Sequence, residues 1–233
     1  KIFSNYELSI FLYITAICRI FSFLFDAGFN QLILSEFNDN HFRRSLFKIF
    51  FLRNFISLLI IFVIYLFFNF FNYLSIFELN IFIILIFFYL SNENLNYFFS
   101  IIMSLNKNIL IVFSRLIFLV CAFFIFFIDF SFKQIVIYLA VINLLPLLFI
   151  SFMSYLILRK ENLKIKSLNI NKIFKIFLFY SSFLIMAKGI GEINSNVDMI
   201  FIKNMTDEFH TSLYGLIIKI NQLSLIPHML LGS

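Results

Sequence analysis

Seven apolar stretches, each long enough to cross a lipid bilayer, account for most of this chain. They run over residues 8–34, 46–71, 77–105, 109–128, 134–158, 173–202 and 212–231. Only 13% of the residues are charged and the mean hydropathy is +1.01, so a water-soluble fold could not bury this much apolar surface. The stretches are too long for barrel strands and do not alternate in polarity, which predicts helices. We therefore expect an all-α polytopic membrane protein.

The positive charges between the stretches alternate in number. The first, third and fifth turns, counted with the first three residues of the stretch that follows each, hold ten Lys and Arg residues, whereas the second, fourth and sixth hold two. Because short cytoplasmic loops are rich in Lys and Arg, this pattern places the odd-numbered turns in the cytoplasm and the N-terminus outside. The net charge of +6 is then explained by orientation in the membrane, and we expect no nucleic-acid partner.

The fifth turn is the longest and most basic, and we interpret residues 159–172 as a cytoplasmic linker between two helix bundles. Residues 1–158 would form one bundle with five spans, and residues 173–233 would begin a second with two. We expect the linker to anchor orientation and to contact anionic membrane lipids.

Three of the predicted spans carry a polar face. At 100° per residue, each set of polar residues falls within an arc of about 60–120°. The sets are Thr15, Arg19, Ser22 and Asp26 in the first span; Asn92, Glu93, Asn96 and Ser100 in the third; and Lys188, Gly191, Glu192, Ser195 and Asp198 in the sixth. Charged residues at mid-membrane cost about 2.5–3.5 kcal/mol each, so these faces must point away from lipid. Either they line a water-filled cavity, or they only pair inside the bundle, as Lys188 and Glu192 could on one helix.

Glycines and prolines mark candidate hinges within the spans. Gly189 and Gly191 lie beside the charges of the sixth span, where they permit either a bend or close helix packing. Pro146 and Pro227 lie within the fifth and seventh spans, and each is expected to kink its helix.

Signals for an enzyme are poor. No histidine lies at a spacing from a serine or cysteine that would indicate a nucleophile and its general base. The sequence also has no phosphate-binding glycine loop and no cluster of metal ligands. Cys18 and Cys121 lie inside apolar stretches and are interpreted as small buried hydrophobes. We expect no catalytic residues, no metal and no cofactor.

Two groups of motifs resemble a known family. The segments Asn5-Tyr6-Glu7-Leu8 and Asp26-Ala27-Gly28-Phe29-Asn30, followed by Glu36, resemble the second helix of bacterial polysaccharide-unit flippases of the Wzx type. Residues 196–202, then Leu213-Tyr214-Gly215 and Pro227, resemble the seventh and eighth helices. Ser35 and Lys203 depart from the pattern, since the family often has a basic residue and a Gly at these positions.

The resemblance implies a two-lobe carrier of 12 to 14 helices in the multidrug/oligosaccharidyl-lipid/polysaccharide exporter superfamily, of which this chain covers helices two to eight. Such a carrier moves undecaprenyl-pyrophosphate-linked oligosaccharide outward by alternating access for surface polysaccharide or O-antigen assembly, with a polysaccharide polymerase or chain-length machinery as candidate partners. In that setting we expect Arg19 and Lys188 to contact the anionic headgroup, with Asn96 in the same cavity. The carboxylates would hold these cations or bind a coupling cation; they are Asp26, Glu93, Glu192 and Asp198.

Three alternatives stay open at this stage. The first is an ion-coupled exporter of drugs or small solutes from the same superfamily. The second is a polytopic enzyme such as an O-antigen polymerase, which the short outward turns of about ten residues disfavour. The third is a purely structural helix bundle.

Overall fold

A computed structural model of the chain describes residues 4–26, 28–127, 130–160 and 170–224. The described residues form nine α-helices and no strand. In chain order these are α1 (Asn5–Asp26), α2 (Phe29–Glu36), α3 (Asn40–Phe70), α4 (Ile76–Ser104), α5 (Ile109–Phe123), α6 (Phe132–Ile142), α7 (Leu144–Lys160), α8 (Ile170–Met205) and α9 (Glu208–Ser224). One turn of 3-10 helix, Phe124–Phe127, extends α5.

The predicted all-α membrane class is confirmed. Four helical segments are long and apolar enough to cross a bilayer: α1 with α2, α3, α4, and α6 with α7. The fourth predicted stretch corresponds to α5, a shorter apolar helix of 15 residues. The sixth lies within α8, which is 36 residues long, and the seventh begins in α9. Pro227, the end of the seventh stretch and most of the 159–172 linker lie outside the described residues.

The first predicted span is divided by an elbow between α1 and α2. Gly28 has a φ of 78°, in the left-handed region that only glycine adopts without strain. The Asp26 Oδ1 atom accepts a hydrogen bond from the backbone N–H of Asn30 at 3.3 Å, which satisfies a free amide at the start of α2. The elbow therefore places Asp26 at a helix junction, where its carboxylate also reaches other helices.

The fifth predicted span is also divided. The helix is interrupted at Asn143, between α6 and α7. Pro146 lies three residues later, and its ring removes one backbone donor and clashes with the carbonyl of Ile142 in a regular helix. The sequence predicts a kink at this proline, and the structure has a helix interruption on the N-terminal side of Pro146.

Helices α1 and α4 form the centre of the bundle. Residues Ser9–Ile10 and Leu12–Cys18 of α1 are buried almost without interruption, and the helix packs against α4, α8 and α9. In contrast, α3 is buried along one stripe and exposes apolar side chains such as Phe51, Phe55 and Phe62 on its opposite side. We infer that this opposite side faces lipid, since apolar side chains there need no protein partner.

Two glycines allow α8 and α9 to approach α1 closely. A Cβ atom at Gly189 would lie 2.9 Å from the ring of Phe23 on α1. A Cβ atom at Gly215 would overlap the side chain of Leu12 and lie 3.0 Å from Met199. Helix α8 continues unbroken through Gly189 and Gly191, so the structure shows Gly189 at a close helix contact and shows no break at this pair.

Substitution of Gly215 tests this packing. Gly215→Val should lower the free energy of unfolding in detergent by about 1–3 kcal/mol, because the added side chain overpacks the contact with Leu12 and Met199. Gly191→Val is the matched control, since no heavy atom lies within 4 Å of a Cβ there and the change in helix propensity is the same. Equal stability of the two variants would contradict the close α1–α9 contact.

Candidate functional site

A three-way ion pair lies where α1, α4 and α8 meet. The Lys188 Nζ atom is 3.0 Å from Asp26 Oδ2 and 3.5 Å from Glu93 Oε1. The carboxylate side chains are 10% and 12% exposed, and the Lys188 side chain is 36% exposed. The ammonium group is therefore held by two nearly buried carboxylates while part of its side chain remains accessible.

The local sequence brings these groups together. Gly189 is the residue after Lys188, and its lack of a side chain lets this turn of α8 rest on Phe23 of α1. Phe23 precedes Asp26 by about one helical turn, so the contact between Gly189 and Phe23 brings Lys188 level with Asp26 along the helix axes. Glu93 enters from α4, on the side of this helix that packs against α1.

A second cation lies next to the same carboxylates. Arg53 of α3 is only 1% exposed, and its Nε atom donates to the carbonyl oxygen of Phe25 at 2.6 Å. Its guanidinium lies 5.4 Å from the ring centre of Tyr97, and the residue whose carbonyl it binds precedes Asp26 in the chain. Neither terminal guanidinium nitrogen has a hydrogen-bond partner among the described residues. We call Asp26, Arg53, Glu93 and Lys188 the charge cluster; its formal charge is zero.

A cavity of about 260 Å³ opens beside Lys188. It lies between the α1–α2 elbow and α8, and it is lined by Phe23, Asp26, Gly28, Asn30, Gln31, Ala187 and Lys188. The Oδ1 atom of Asn30 is buried and has no hydrogen-bond partner among the described residues. The cavity thus offers a cation, an amide and unused acceptor capacity to a polar ligand. We refer to it as the elbow cavity.

The other predicted site residues do not join the cluster. Arg19 donates from Nε to the hydroxyl of Tyr89 at 3.2 Å. Glu192 accepts a hydrogen bond from Asn196 at 3.3 Å, so the possible pairing with Lys188 on the same helix is not formed. Asp198 accepts from the hydroxyl of Tyr214 on α9 at 3.3 Å.

The polar face predicted for the third span divides between two environments. Glu93 joins the charge cluster, whereas Asn92 and Asn96 line a different cavity of about 400 Å³ between α4, α5 and α7. Adjacent residues on α4 therefore divide between a cavity and the charge cluster.

Arg53 was not among the site residues predicted from the sequence. Its depth was the available signal: it is the fourteenth residue of α3, about 20 Å from the start of the helix. It also shares a stripe with Ser45 and Ser57, at spacings of eight and four residues. Two small polar residues in line with an arginine indicate a face turned toward other helices.

No group of three His, Cys, Asp or Glu side chains suited to a metal ion is found in the part of the chain that the structure describes. The charge cluster can exchange one anionic partner of Lys188 for another. Two carboxylates hold the cation in the observed arrangement.

Comparison with known proteins gives one match. Residues 1–233 match the family described as "Polysaccharide biosynthesis protein". No curated protein and no solved structure matches the chain.

The charge balance of the cluster can be tested with Arg53→Met. This substitution should cost about 3–5 kcal/mol of unfolding free energy, because it leaves two nearly buried carboxylates with one cation. Adding Glu93→Gln should restore part of the loss, since it removes the excess negative charge. Unfolding in detergent micelles measures both effects.

Arg115→Met is the matched control, because Arg115 is exposed and its contact with Phe99 is worth about 1 kcal/mol or less. The charge cluster would be wrong if Arg53→Met were as stable as the parent protein. It would also be wrong if Glu93→Gln destabilised the Arg53→Met variant further.

Proposed function

Because the chain belongs to the polysaccharide biosynthesis protein family, which includes flippases of lipid-linked repeat units, we propose that it carries an undecaprenyl-pyrophosphate-linked oligosaccharide across the membrane. The direction is from the cytoplasmic to the outer leaflet of a bacterial inner membrane, by alternating access, for assembly of surface polysaccharide. On this proposal the protein is a carrier and not an enzyme.

The observation that carries the proposal is the ion pair between Lys188 and the carboxylates of Asp26 and Glu93. Lys188 follows the basic linker in sequence, whereas both carboxylates precede it. If the linker separates two lobes, the ion pair spans their interface. Such a contact can form in one state of a carrier and break in the other, as alternating access requires.

A pyrophosphate group suits this site because it competes with carboxylates for the same cation. Lys188 borders the elbow cavity, so an anionic headgroup could reach the ammonium group there. When Lys188 turns toward phosphate, the buried Arg53 remains hydrogen-bonded to the carbonyl oxygen of Phe25, the residue before Asp26. This second cation reduces the cost of exchange, because an uncompensated buried carboxylate costs several kcal/mol.

Arg19 offers a second cation along α1. Among the described residues it makes no ion pair with a carboxylate, and its hydrogen bond is to the neutral hydroxyl of Tyr89. Its positive charge is therefore less compensated than that of Lys188. We assign Arg19 to the phosphate or sugar part of the headgroup, while the isoprenoid chain stays in the bilayer.

The position of the elbow cavity supports loading from the cytoplasm. Helix α2 ends next to the basic first two turns of α3, which contain Arg43 and Arg44 and which the charge pattern places inside. At the opposite end of the bundle α1, α8 and α9 are in close contact at Gly215, and Lys203 donates to Ser9 at 3.4 Å. The arrangement fits a carrier that is closed on the outer side.

The proposal predicts the behaviour of the complete reading frame in a strain that lacks its own repeat-unit flippase. The parent protein should restore surface polysaccharide. Lys188→Met should reduce the amount about tenfold or more, which corresponds to a loss of about 1.4 kcal/mol in binding. Lys188→Arg should retain much of the activity, because it keeps the positive charge. Polysaccharide is measured by gel electrophoresis, and membrane levels of each variant by immunoblotting.

Lys107→Met is the matched control, since Lys107 is exposed in the turn between α4 and α5 and should be dispensable. An ion-coupled exporter, the main alternative, makes the reverse prediction because carboxylates bind its coupling cation. If Lys188→Met were active while Glu93→Gln were inactive, that alternative would replace the flippase proposal.

A further inference from the structure

A second polar cavity, separate from the charge cluster, lies between α4, α5 and the α6–α7 break. Its volume is about 400 Å³. The polar side chains that line it are Asn92, Asn96, Ser114, Arg115 and Asn143. Aromatic side chains of α4 and α5 complete the wall, namely Phe88, Phe99 and Phe118. We call it the Arg115 cavity.

Arg115 brings an uncompensated positive charge to this cavity. Its guanidinium lies 5.6 Å from the ring centre of Phe99, and it makes no ion pair with any carboxylate that the structure describes. Lys188 differs in this respect, since two carboxylates hold it. A cation that no carboxylate neutralises raises the local concentration of anions around it.

Ser114 provides a second and independent sign of a ligand. The residue is fully buried, yet its hydroxyl has no hydrogen-bond partner among the described residues. Several other helical serines of this chain donate to a carbonyl three or four residues earlier, as Ser22 and Ser100 do. The buried Ser91 hydroxyl also lacks a partner among the described residues, but Ser91 does not line this cavity. Because Ser114 lines the cavity, its hydroxyl is left for a group that enters there.

The combination of groups indicates the chemistry of that ligand. One guanidinium pairs well with one carboxylate, whereas the hydroxyl and the amides of Asn92 and Asn143 suit several neutral hydroxyl groups. Aromatic side chains add apolar contact surface, as in most sites for small ligands. We propose that the Arg115 cavity binds an acidic sugar of the oligosaccharide, with Arg115 on its carboxylate and Ser114 and Asn92 on its hydroxyls.

The identity of the ligand as an acidic sugar of the oligosaccharide rests on the proposed function, whereas binding of anions in the cavity does not. In the full reading frame, with Cys18 replaced by Ala and Cys121 by Ser, single cysteines are introduced as Ser114→Cys and Asn92→Cys. Asn108→Cys, at an exposed position just before α5, is the matched control. Each variant is treated with an anionic and with a cationic methanethiosulfonate reagent, and the ratio of the two rates is measured.

The anionic reagent should be favoured at positions 92 and 114 by about tenfold relative to position 108, because Arg115 concentrates anions in the cavity. Arg115→Gln should abolish this preference, and Arg115→Lys should retain it. Glucuronate should slow labelling at both positions, whereas glucose should not. Because two positions are labelled, misfolding of one cysteine variant would not decide the result.

Equal rates for the two reagents, or a preference unchanged in Arg115→Gln, would overturn the anion site. Protection by inorganic phosphate without protection by glucuronate would overturn the acidic sugar. Labelling does not require transport, so these results are independent of the complementation assay. If complementation fails while labelling is charge-selective, the flippase proposal is rejected and the anion site still stands.

Discussion

The burial of two carboxylates and two cations between four helices is the constraint on which the rest of this structure depends. Asp26, Arg53, Glu93 and Lys188 come from α1, α3, α4 and α8, and none of the four could remain charged in lipid without a partner. A buried ion pair gains little net stability, because desolvation offsets most of the attraction. What the cluster does fix is register, since sliding or rotating one helix would leave a charge alone. Gly189 and the Gly28 elbow support this register, because they fix the positions of Lys188 and Asp26 along the helix axes.

The helices could be predicted closely from the sequence because the bilayer leaves the backbone few choices. In lipid every peptide group must bond within its own helix, so an apolar stretch of sufficient length has one available state. The third stretch, predicted over residues 77–105, is α4 (Ile76–Ser104). Interruptions were predictable where a residue imposes them, as Pro146 does near the α6–α7 break. The elbow at Gly28 was not predicted, because a glycine inside an apolar stretch is compatible with a continuous helix.

The site could be predicted in part. Helical periodicity gave the inward faces that contain Asp26, Glu93 and Lys188, and these three residues meet. Periodicity describes a residue only relative to its own helix, so it could not distinguish Glu192 from Glu93 as the partner of Lys188. For the same reason it grouped Asn92 with Glu93, although Asn92 lines a cavity and Glu93 joins the charge cluster. The depth of Arg53 in α3 and its serine neighbours indicate an inward face, but only the fold places it against Phe25 of α1.

The two cavities differ in how their cations are compensated, and this difference suits two roles. Lys188 is paired, so a ligand that binds it must displace carboxylates, and binding can then be linked to separation of α8 from α1 and α4. Arg115 has no carboxylate to release among the described residues, so a ligand there gains affinity without breaking a helix contact. On the proposed function, the first arrangement suits a group whose arrival must change the protein, such as the pyrophosphate common to all substrates. The second suits recognition of the sugar that distinguishes one substrate from another. Helix α4 contributes Asn92 to the Arg115 cavity and the adjacent Glu93 to the charge cluster, so this one helix could couple sugar binding to the charge cluster.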